Sequence, residues 1–274
     1  GTLLVQEESG KFKPVKVPVF ETDSLSECTD ALFFDADGDK DLDLYVVTGG
    51  TEYANQEAPL KDKLYLNQSA GGKIVFAKHT GLPDHFQTGS CVTASDIDHD
   101  GDLDLFVGTR VIPGYYGELP DQYVLINDGH GNFNDATAQW SASLSRLGMV
   151  TDAEWIDLDA DGWDDLVVVG EWMPVSVFRN DGKKLTPVDD VAAGFQKSDG
   201  WCNTLKVADV NGDTKPDLLL GNLGWNSRFQ PSGDNPVSLY VSDFDNNGSI
   251  DPIYTYKKNG KTYPYPLRQD LLKQ

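Results

Sequence analysis

One short acidic pattern recurs five times along the 274-residue chain and constrains its fold more than any other sequence feature. The clearest copy, "DADGDKDLD", begins at Asp35 and lies between the apolar segments "ALFF" and "LYVV". Further copies begin at Asp96, Asp157, Asp209 and Asp243. Each has Asp at positions 1 and 9, Asp or Asn at positions 3 and 5, and Gly at position 4 or 6. Carboxylates at this density repel one another unless a cation lies among them.

The residue types at these positions predict a calcium site in each loop. Calcium takes roughly six to eight oxygen ligands from carboxylates, amides and backbone carbonyls. Side chains at positions 1, 3 and 5 of a tight loop can converge, position 7 can add a backbone carbonyl, and position 9 can close the cage. Glycine allows the sharp turn that this convergence needs. Magnesium prefers a smaller octahedron, and the zinc ligands His and Cys are missing from these positions.

The pattern predicts four to five Ca²⁺ ions per chain, each held by four side chains and one backbone carbonyl. The side chains are Asp35, Asp37, Asp39 and Asp43; Asp96, Asp98, Asp100 and Asp104; Asp157, Asp159, Asp161 and Asp165; Asp209, Asn211, Asp213 and Asp217; and Asp243, Asp245, Asn247 and Asp251. The backbone carbonyls are those of Asp41, Asp102, Trp163, Lys215 and Ser249. The side chains of Asp41, Asp102 and Asp164 are expected to be solvated. The fifth loop differs from the others in its sequence context.

An EF-hand is the obvious rival for such loops, but it needs Glu at position 12 and a helix on each side. Position 12 holds no carboxylate in any copy: the residues are Val46, Val107, Val168, Leu220 and Tyr254. The flanking segments are strand-like, so each loop is predicted to join two strands. Plain acidic turns are the other interpretation, because Asp and Gly favour turns; five copies with one spacing argue against it.

A strand–turn–strand pattern follows each of the first three loops, in "KLYLNQSAGGKIVF", "QYVLINDGHGNFNDAT" and "PVSVFRNDGKKLTPV". These segments are typical of β-hairpins. After the fourth loop, "SLYVSDFDNNGSIDPIYT" places the fifth loop where a hairpin turn would be, so the fifth loop is predicted to belong to the fourth unit. Each unit then has four strands, which is the blade of a β-propeller, and stacked blades cover one another's apolar faces.

The chain is therefore predicted to be all-β and to form a single β-propeller domain over residues 1–274. Four blades of four antiparallel strands are expected near residues 31–80, 90–140, 149–190 and 200–256. Residues 3–20 and 252–266 are expected to contribute to an incomplete or closing blade. Two architectures remain open, a five-bladed ring and a fragment of a larger ring.

The net charge of −22 excludes some classes of partner. A field of this sign repels nucleic acids and anionic membranes. With 39% apolar and 11% aromatic residues the composition is that of a folded protein, and no apolar run is long enough for a transmembrane helix. Cys28, Cys91 and Cys202 are interpreted as small buried hydrophobic residues, with one disulfide plus a free thiol as the alternative.

The loops and hairpins together resemble the FG-GAP and VCBS repeats of integrin-alpha-like β-propellers. The segments "LYVVTGGTEY", "LYLNQSAGG", "GEWMPVSVFRNDGKKL" and "GNLGWNSRF" are similar to bacterial members related to the ASPIC/UnbV and cartilage-acidic-protein group. The resemblance covers nearly the whole chain and is carried chiefly by the acidic loops. It implies an extracellular or cell-surface propeller with calcium in its blade loops.

These observations predict an adhesion-type interaction module that binds a protein or a glycan at the cell surface. The expected location is extracellular, at the cell surface or in the periplasm, because calcium sites of extracellular modules fill at about 10⁻⁴ to 10⁻³ M. No signal peptide is visible at the start of the sequence, and an anchor or signal is expected to have been lost from it.

Glycan binding is the leading alternative, because exposed aromatic rings beside amides suit sugar rings. The candidate residues are Tyr115, Tyr116, Trp172, Trp201, and Trp225 with its neighbours Asn222, Asn226 and Arg228. The competing interpretation is that the tryptophans pack between blades. No Ser-His-Asp or Cys-His arrangement can be read from the sequence, so the chain is predicted not to be an enzyme. A calcium-dependent polysaccharide lyase or hydrolase is the enzymatic alternative.

Overall fold

A computed structural model describes residues 1–53, 57–224 and 229–265. Strands account for 47% of the structure and helices for 7%, so the predicted all-β class is confirmed. Within the described ranges, no helix has the length and apolar character that a bilayer span requires.

The described residues contain nineteen strands and three short α-helices. The strands are β1 (Leu3–Gln6), β2 (Phe12–Val15), β3 (Glu27–Phe34), β4 (Asp43–Gly49), β5 (Lys63–Asn67), β6 (Phe76–His79), β7 (Thr88–Ser95), β8 (Asp104–Val111), β9 (Tyr123–Asn127), β10 (Phe133–Asp135), β11 (Met149–Ile156), β12 (Asp165–Met173), β13 (Ser176–Asn180), β14 (Leu185–Pro187), β15 (Gly200–Ala208), β16 (Asp217–Asn222), β17 (Val237–Ser242), β18 (Asp251–Lys258) and β19 (Lys261–Pro264). The helices are α1 (Pro18–Thr22), α2 (Thr137–Trp140) and α3 (Asp190–Ala193), with 3₁₀ turns at Ala58–Leu60 and Ala142–Leu144.

Three consecutive sets of four antiparallel strands form blades. Blade 1 is β3–β6, blade 2 is β7–β10 and blade 3 is β11–β14, and in each the strands pair in chain order. In every blade the acidic loop joins the first strand to the second, as predicted. The four-stranded antiparallel blades of the predicted propeller are therefore present in the structure.

The chain after blade 3 differs from the expected fourth blade near 200–256. β15 pairs with β16, and the start of β15 also pairs with the end of β12. β17, β18 and β19 form a sheet of their own, and the fifth loop joins the first two strands of that sheet. The shorter spacing before the fifth loop thus arises because no outer hairpin stands between β16 and β17 in the described chain.

The two terminal segments do not combine into a closing blade. β1 and β2 pair with each other, and β19 pairs with β18, so residues 3–20 and 252–266 share no sheet in the described structure. The chain after β2 instead packs on blade 1, where the ring of Phe20 lies 4.9 Å from that of Tyr65 and 5.6 Å from that of Phe76. The described residues therefore form no closed ring.

The core lies between the blades rather than within one sheet. Apolar side chains of blade 1 pack on those of blade 2 around Tyr45 and Leu105, and blade 2 packs on blade 3 around Phe106 and Phe178. A third cluster joins blade 3 to β15 and β16 around Leu205. Since a lone blade has two exposed faces, the repeat is stable only when its neighbours cover it.

A β-bulge at the same place in each first strand links successive blades. The residues at the bulges are Thr29, Ser90, Thr151 and Asn203. Hydroxyls of the first three each donate to a carbonyl of the next blade: Thr29 to Gly89 at 3.0 Å, Ser90 to Val150 at 2.7 Å and Thr151 to Cys202 at 2.8 Å. The bulge thus turns one side chain toward the neighbouring blade, as bulges commonly do.

The cysteines are unpaired thiols, so the disulfide alternative is excluded for this structure. Cys91 and Cys202 are buried between blades, as expected, whereas Cys28 is exposed. Cys28 lies on the outer face of blade 1, which no other blade of the described chain covers. The prediction that it is buried is therefore wrong.

Candidate metal centre

All five acidic loops share one backbone conformation. The residues at positions 4 and 6 have positive φ angles in every copy: Gly38 79° and Lys40 75°, His99 61° and Gly101 101°, Ala160 61° and Gly162 93°, Gly212 79° and Thr214 69°, Asn246 59° and Gly248 88°. Glycine relieves one of the two left-handed positions in each loop, and a residue with a side chain accepts the strain at the other. The fifth loop follows the same rule despite its different sequence context.

The loop carboxylates also repeat their hydrogen bonds. The Asp at position 1 accepts the backbone N–H of position 6 in each loop, from Lys40, Gly101, Gly162, Thr214 and Gly248, at distances of 2.9, 3.2, 2.9, 2.8 and 2.9 Å. The side chain at position 5 accepts the N–H of position 7 at 2.7–3.0 Å throughout. These bonds hold each turn tight, so that the acidic side chains stay close together.

Four of the loops bring three carboxylates to within 4.8 Å of one another. The groups are Asp35, Asp37 and Asp39; Asp96, Asp98 and Asp104; Asp157, Asp159 and Asp165; and Asp243, Asp245 and Asp251. In the fourth loop, which the structure describes throughout, the acids form no such group: the amide of Asn211 holds position 3 and donates to Asp213 at 3.3 Å. Three of the predicted side chains are thus close together in each of these four loops, while Asp43, Asp100 and Asp161 stand outside the groups. Metal binding by these residues and by the position 7 carbonyls stays a prediction.

The Asp at position 9 has a structural role that sequence reasoning missed. Asp43, Asp104 and Asp165 are buried, and one oxygen of each accepts the N–H of the position 2 residue. The other oxygen accepts the N–H of the asparagine that ends the third strand, from Asn67, Asn127 and Asn180 at 2.7, 2.9 and 2.9 Å. Each position 9 carboxylate therefore fastens its loop to the outer half of its own blade.

The same asparagines connect one blade to the loop of the preceding blade. The Asn127 amide donates to the carbonyl of Ala36 at 2.9 Å, and the Asn180 amide donates to that of Ile97 at 3.0 Å. Ala36 and Ile97 hold position 2 of the first and second loops. The only sequence signal was the shared Asn at the end of "LYLN", "VLIN" and "VFRN".

Without a cation these loops are electrostatically costly. Burial raises the pKa of Asp104 to about 7, and the neighbouring Asp98 and Asp100 charges add to that rise. Burial likewise raises the pKa of Asp43 and of Asp98. Removing a carboxylate from water disfavours its charged form unless a positive partner compensates.

Three enclosed carboxylate oxygens in the first two loops have no hydrogen-bond partner. They are Oδ1 of Asp37, Asp41 and Asp96. Buried polar atoms are almost always satisfied in folded proteins, and these three oxygens belong to loops whose acids could hold a metal ion. An all-oxygen donor set of this kind fits calcium.

The acids outside the main ligand set are less solvated than expected. Oδ1 of Asp41 is enclosed, and burial raises the pKa of that carboxyl, with further increases from Asp39, Asp37 and Asp35. Asp164 accepts the hydroxyl of Ser95 in blade 2 at 2.6 Å. Both residues are half-buried, so neither side chain is fully solvated, and the expectation that they do not bind the metal stays a prediction.

A family model described as an FG-GAP-like repeat matches residues 35–107 and 157–220, which together make up half of the chain. The chain belongs to the FG-GAP-like repeat family. The two matched regions contain the first four acidic loops, and each region begins at the first Asp of a loop, directly after β3 or β11. The narrower likeness to the ASPIC/UnbV group stays a prediction.

The solved structures to which this FG-GAP-like repeat chain is similar include two lyases. One is the rhamnogalacturonan lyase YesW, with 14% identity and a TM-score of 0.43 over 94% of this chain and 52% of that one. The other is the Bacillus licheniformis rhamnogalacturonan lyase PL11, with 14% identity and a TM-score of 0.41 over the same shares. The chain spans about half the length of either lyase. A comparison with curated proteins found no match.

The FG-GAP-like repeat chain has a second polar feature, away from its acidic loops. A cavity of about 500 Å³ lies among the starts of the first strands and the ends of the second strands, whereas the loops join the opposite ends of these strands. Hydroxyls of Thr29, Thr88, Ser90 and Thr151 line it together with Arg110 and the carboxylates of Glu27, Glu52 and Glu171.

Beside this cavity, the buried Glu171 anchors a polar chain that ends on an aromatic cluster. Arg110 donates to one oxygen of Glu171 at 2.9 and 2.7 Å, and the hydroxyl of Tyr116 donates to the other at 2.7 Å. The indole N–H of Trp172 donates to the Tyr116 oxygen at 3.1 Å. Trp172 has a φ of 60°, which is rare for a bulky residue, and its ring lies 5.4 Å from Trp201 and 5.7 Å from Tyr254.

The structure brings together part of the predicted aromatic surface. Tyr116, Trp172 and Trp201 lie in one cluster and are half-buried, whereas Tyr115 is exposed. Trp225, Asn226 and Arg228 lie outside the described residues. Contacts with neighbouring aromatic rings cover part of the surface of Tyr116, Trp172 and Trp201.

Proposed function

We propose that this chain is a calcium-stabilised FG-GAP-type propeller module that serves as an interaction domain outside the cytoplasm. One observation carries the calcium assignment: five loops repeat a single backbone form, and four of them gather three carboxylates within 4.8 Å. The unpaired oxygens of the first two loops support it independently. Calcium would supply positive charge to these clusters of carboxylates.

Calcium depletion tests this proposal. Ligands that bind only the folded state raise its stability by mass action, by about 2.7 kcal/mol per site at a hundredfold excess over the dissociation constant. We expect a large fall of the melting temperature in excess chelator and its recovery with added calcium, with bound metal counted by native mass spectrometry. An unchanged melting temperature together with no bound metal would contradict the proposal and would mean that the loops are only acidic turns.

A matched pair of variants makes the calcium test specific. Asp98→Ala removes the oxygen ligands at position 3 of the second loop and is expected to abolish one bound ion. Asp181→Ala removes a carboxylate from the hairpin turn of blade 3, where it accepts backbone N–H groups of its own turn. This control should leave the ion count unchanged, because Asp181 belongs to none of the groups of converging acids found among the described residues.

The extracellular or periplasmic location follows from the affinity expected of such sites. Extracellular calcium modules bind at about 10⁻⁴ to 10⁻³ M, so these loops would be empty at cytosolic calcium levels. Fractionation of the native host should therefore recover the protein outside the cytoplasm. Recovery from the cytosol with its loops empty would contradict the proposal.

Glycan recognition is the second candidate, and the polar cavity beside Trp172 and Tyr116 favours it over other ligand classes. Hydroxyls and carboxylates can bond sugar hydroxyls, and a half-exposed indole can stack on a sugar ring. We expect Trp172→Ala to weaken binding in a soluble-glycan screen, while Tyr240→Ala, at an exposed ring on β17, does not. Equal binding by both variants would favour a protein partner instead.

The absence of catalysis is also a proposal. A turnover assay on the same polysaccharides in excess calcium is expected to show binding without cleavage. Detectable chain cleavage that is lost on chelation would replace the binding role with a lyase or hydrolase.

A further inference from the structure

The third acidic loop contains a cation supplied by the chain itself. Arg179 lies on β13, and its guanidinium Nη1 donates to Oδ2 of Asp159 at 3.1 Å and also to Oδ2 of Asp165. Asp159 and Asp165 are two of the three acids that converge in this loop. The guanidinium therefore lies against the carboxylate oxygens that a calcium ion would use.

Neither of the other two blades has a charged residue at this place. The third strand of each blade ends at an asparagine, which allows the three strands to be aligned. The residue before this asparagine is Leu66 in blade 1, Ile126 in blade 2 and Arg179 in blade 3. Leu66 and Ile126 pack against the apolar clusters between blades. In these two blades nothing from the third strand can neutralise the loop.

The hydrogen bonding of the loops differs in the same way. The first and second loops leave enclosed carboxylate oxygens without partners, at Asp37, Asp41 and Asp96. In the third loop Arg179 is the partner of Oδ2 of Asp159, which is exposed, and of Oδ2 of Asp165, which is buried. The arginine therefore places a positive charge against two of the three clustered carboxylates.

We propose that Arg179 replaces calcium in the third loop as a built-in counter-ion. Of the four loops that gather three carboxylates, the third therefore binds no calcium ion. This inference rests on the proposed calcium function. It separates loops that bind calcium from a loop whose charge is neutralised by an arginine. The guanidinium stays charged at every physiological pH and presents planar donors that match carboxylates. A calcium ion placed among the same oxygens would meet a fixed positive charge only a few ångströms away, which opposes binding.

The test counts calcium ions per folded chain by native mass spectrometry, with circular dichroism confirming the fold. Arg179→Leu introduces the residue that blade 1 has at this place and should gain one ion over the wild type. Arg179→Gln, which keeps most of the side-chain length, should gain the same ion and serves if the leucine variant does not fold. Lys183→Leu removes a charge of the same sign from the same hairpin and should gain none.

Ligand variants identify which loop gains the ion. Asp159→Ala should leave the wild-type count unchanged and should abolish the gain of Arg179→Leu, whereas Asp98→Ala should lose one ion in either background. A loss of one ion from the wild type on Asp159→Ala, or no gain on either substitution of Arg179, would overturn the inference and leave the calcium proposal intact. No bound calcium in any variant would instead overturn the calcium proposal.

Discussion

At the scale of single residues, one buried acid outside the loops sets a pH dependence of its own. Asp62 accepts the hydroxyl of Tyr45 at 2.8 Å and the N–H of Thr48 at 2.7 Å. Burial nevertheless raises the pKa of Asp62 to about 6. The folded protein therefore holds a proton that the unfolded chain releases at lower pH.

The sign of this effect follows from linkage. Between about pH 4 and pH 6 the folded state binds more protons at Asp62 than the unfolded state, so this residue makes the protein less stable as the pH rises. Asp62→Asn removes the titration. The free energy of unfolding of this variant, relative to the wild type, should rise across that window in chemical denaturation at saturating calcium.

Asp84→Asn provides a control of opposite sign. A hydrogen bond from Lys61 lowers the pKa of Asp84 below its ordinary value of 3.8, so the wild type gains stability from this residue as the pH rises through the range below about 4, and its contribution is nearly constant above that range. A flat difference between Asp62→Asn and the wild type over the whole window would contradict the raised pKa of Asp62.

At the scale of elements, the joint between a loop and the next blade can be tested through its asparagine. The buried Asn127 amide nitrogen donates to the carbonyl of Ala36 in the preceding loop, whereas the Asn67 amide nitrogen donates to that of Leu42 in its own blade at 3.2 Å. Asn127→Ala leaves a buried carbonyl unpaired and should cost about 1–3 kcal/mol of unfolding free energy.

Asn67→Ala is the matched comparison for that joint, because it removes the equivalent residue where no preceding loop is bonded in the described chain. It should cost clearly less than Asn127→Ala in the same denaturation experiment. Equal losses would show that the bond between blades contributes nothing beyond the bond within each blade.

The elements also show what sequence patterns can and cannot predict. The strands and acidic loops were predictable, because the apolar flanks and the Asp spacing are local signals. The contact of Arg179 with the third loop was not predicted, because its strand shows only the alternation of polar and apolar residues that is common in β-strands. The three-dimensional register places Arg179 beside Asp159 and Asp165. The fifth loop was predicted to belong to the fourth unit, and it joins β17 to β18 in a sheet separate from β15 and β16, a difference that spacing alone cannot reveal.

At the scale of the whole molecule, the net charge of −22 should make the calcium-free protein sensitive to salt. Monovalent salt screens repulsion over about 10 Å at 0.1 M ionic strength. The melting temperature in chelator should therefore rise with added sodium chloride, and should rise less when calcium is bound. An equal rise in both states would mean that the loops do not dominate the repulsion.

The asparagine joint has one more consequence for a protein made of such units. Each blade brings an amide for the loop before it and a loop carbonyl for the blade after it, as Asn127 with Ala36 and Asn180 with Ile97 illustrate. Tandem duplication of one whole blade therefore restores every joint, whereas duplication of only part of a blade leaves a donor or an acceptor unmatched. Gene rearrangements can thus change the number of blades one at a time, with the loop and its asparagine inherited as a single unit.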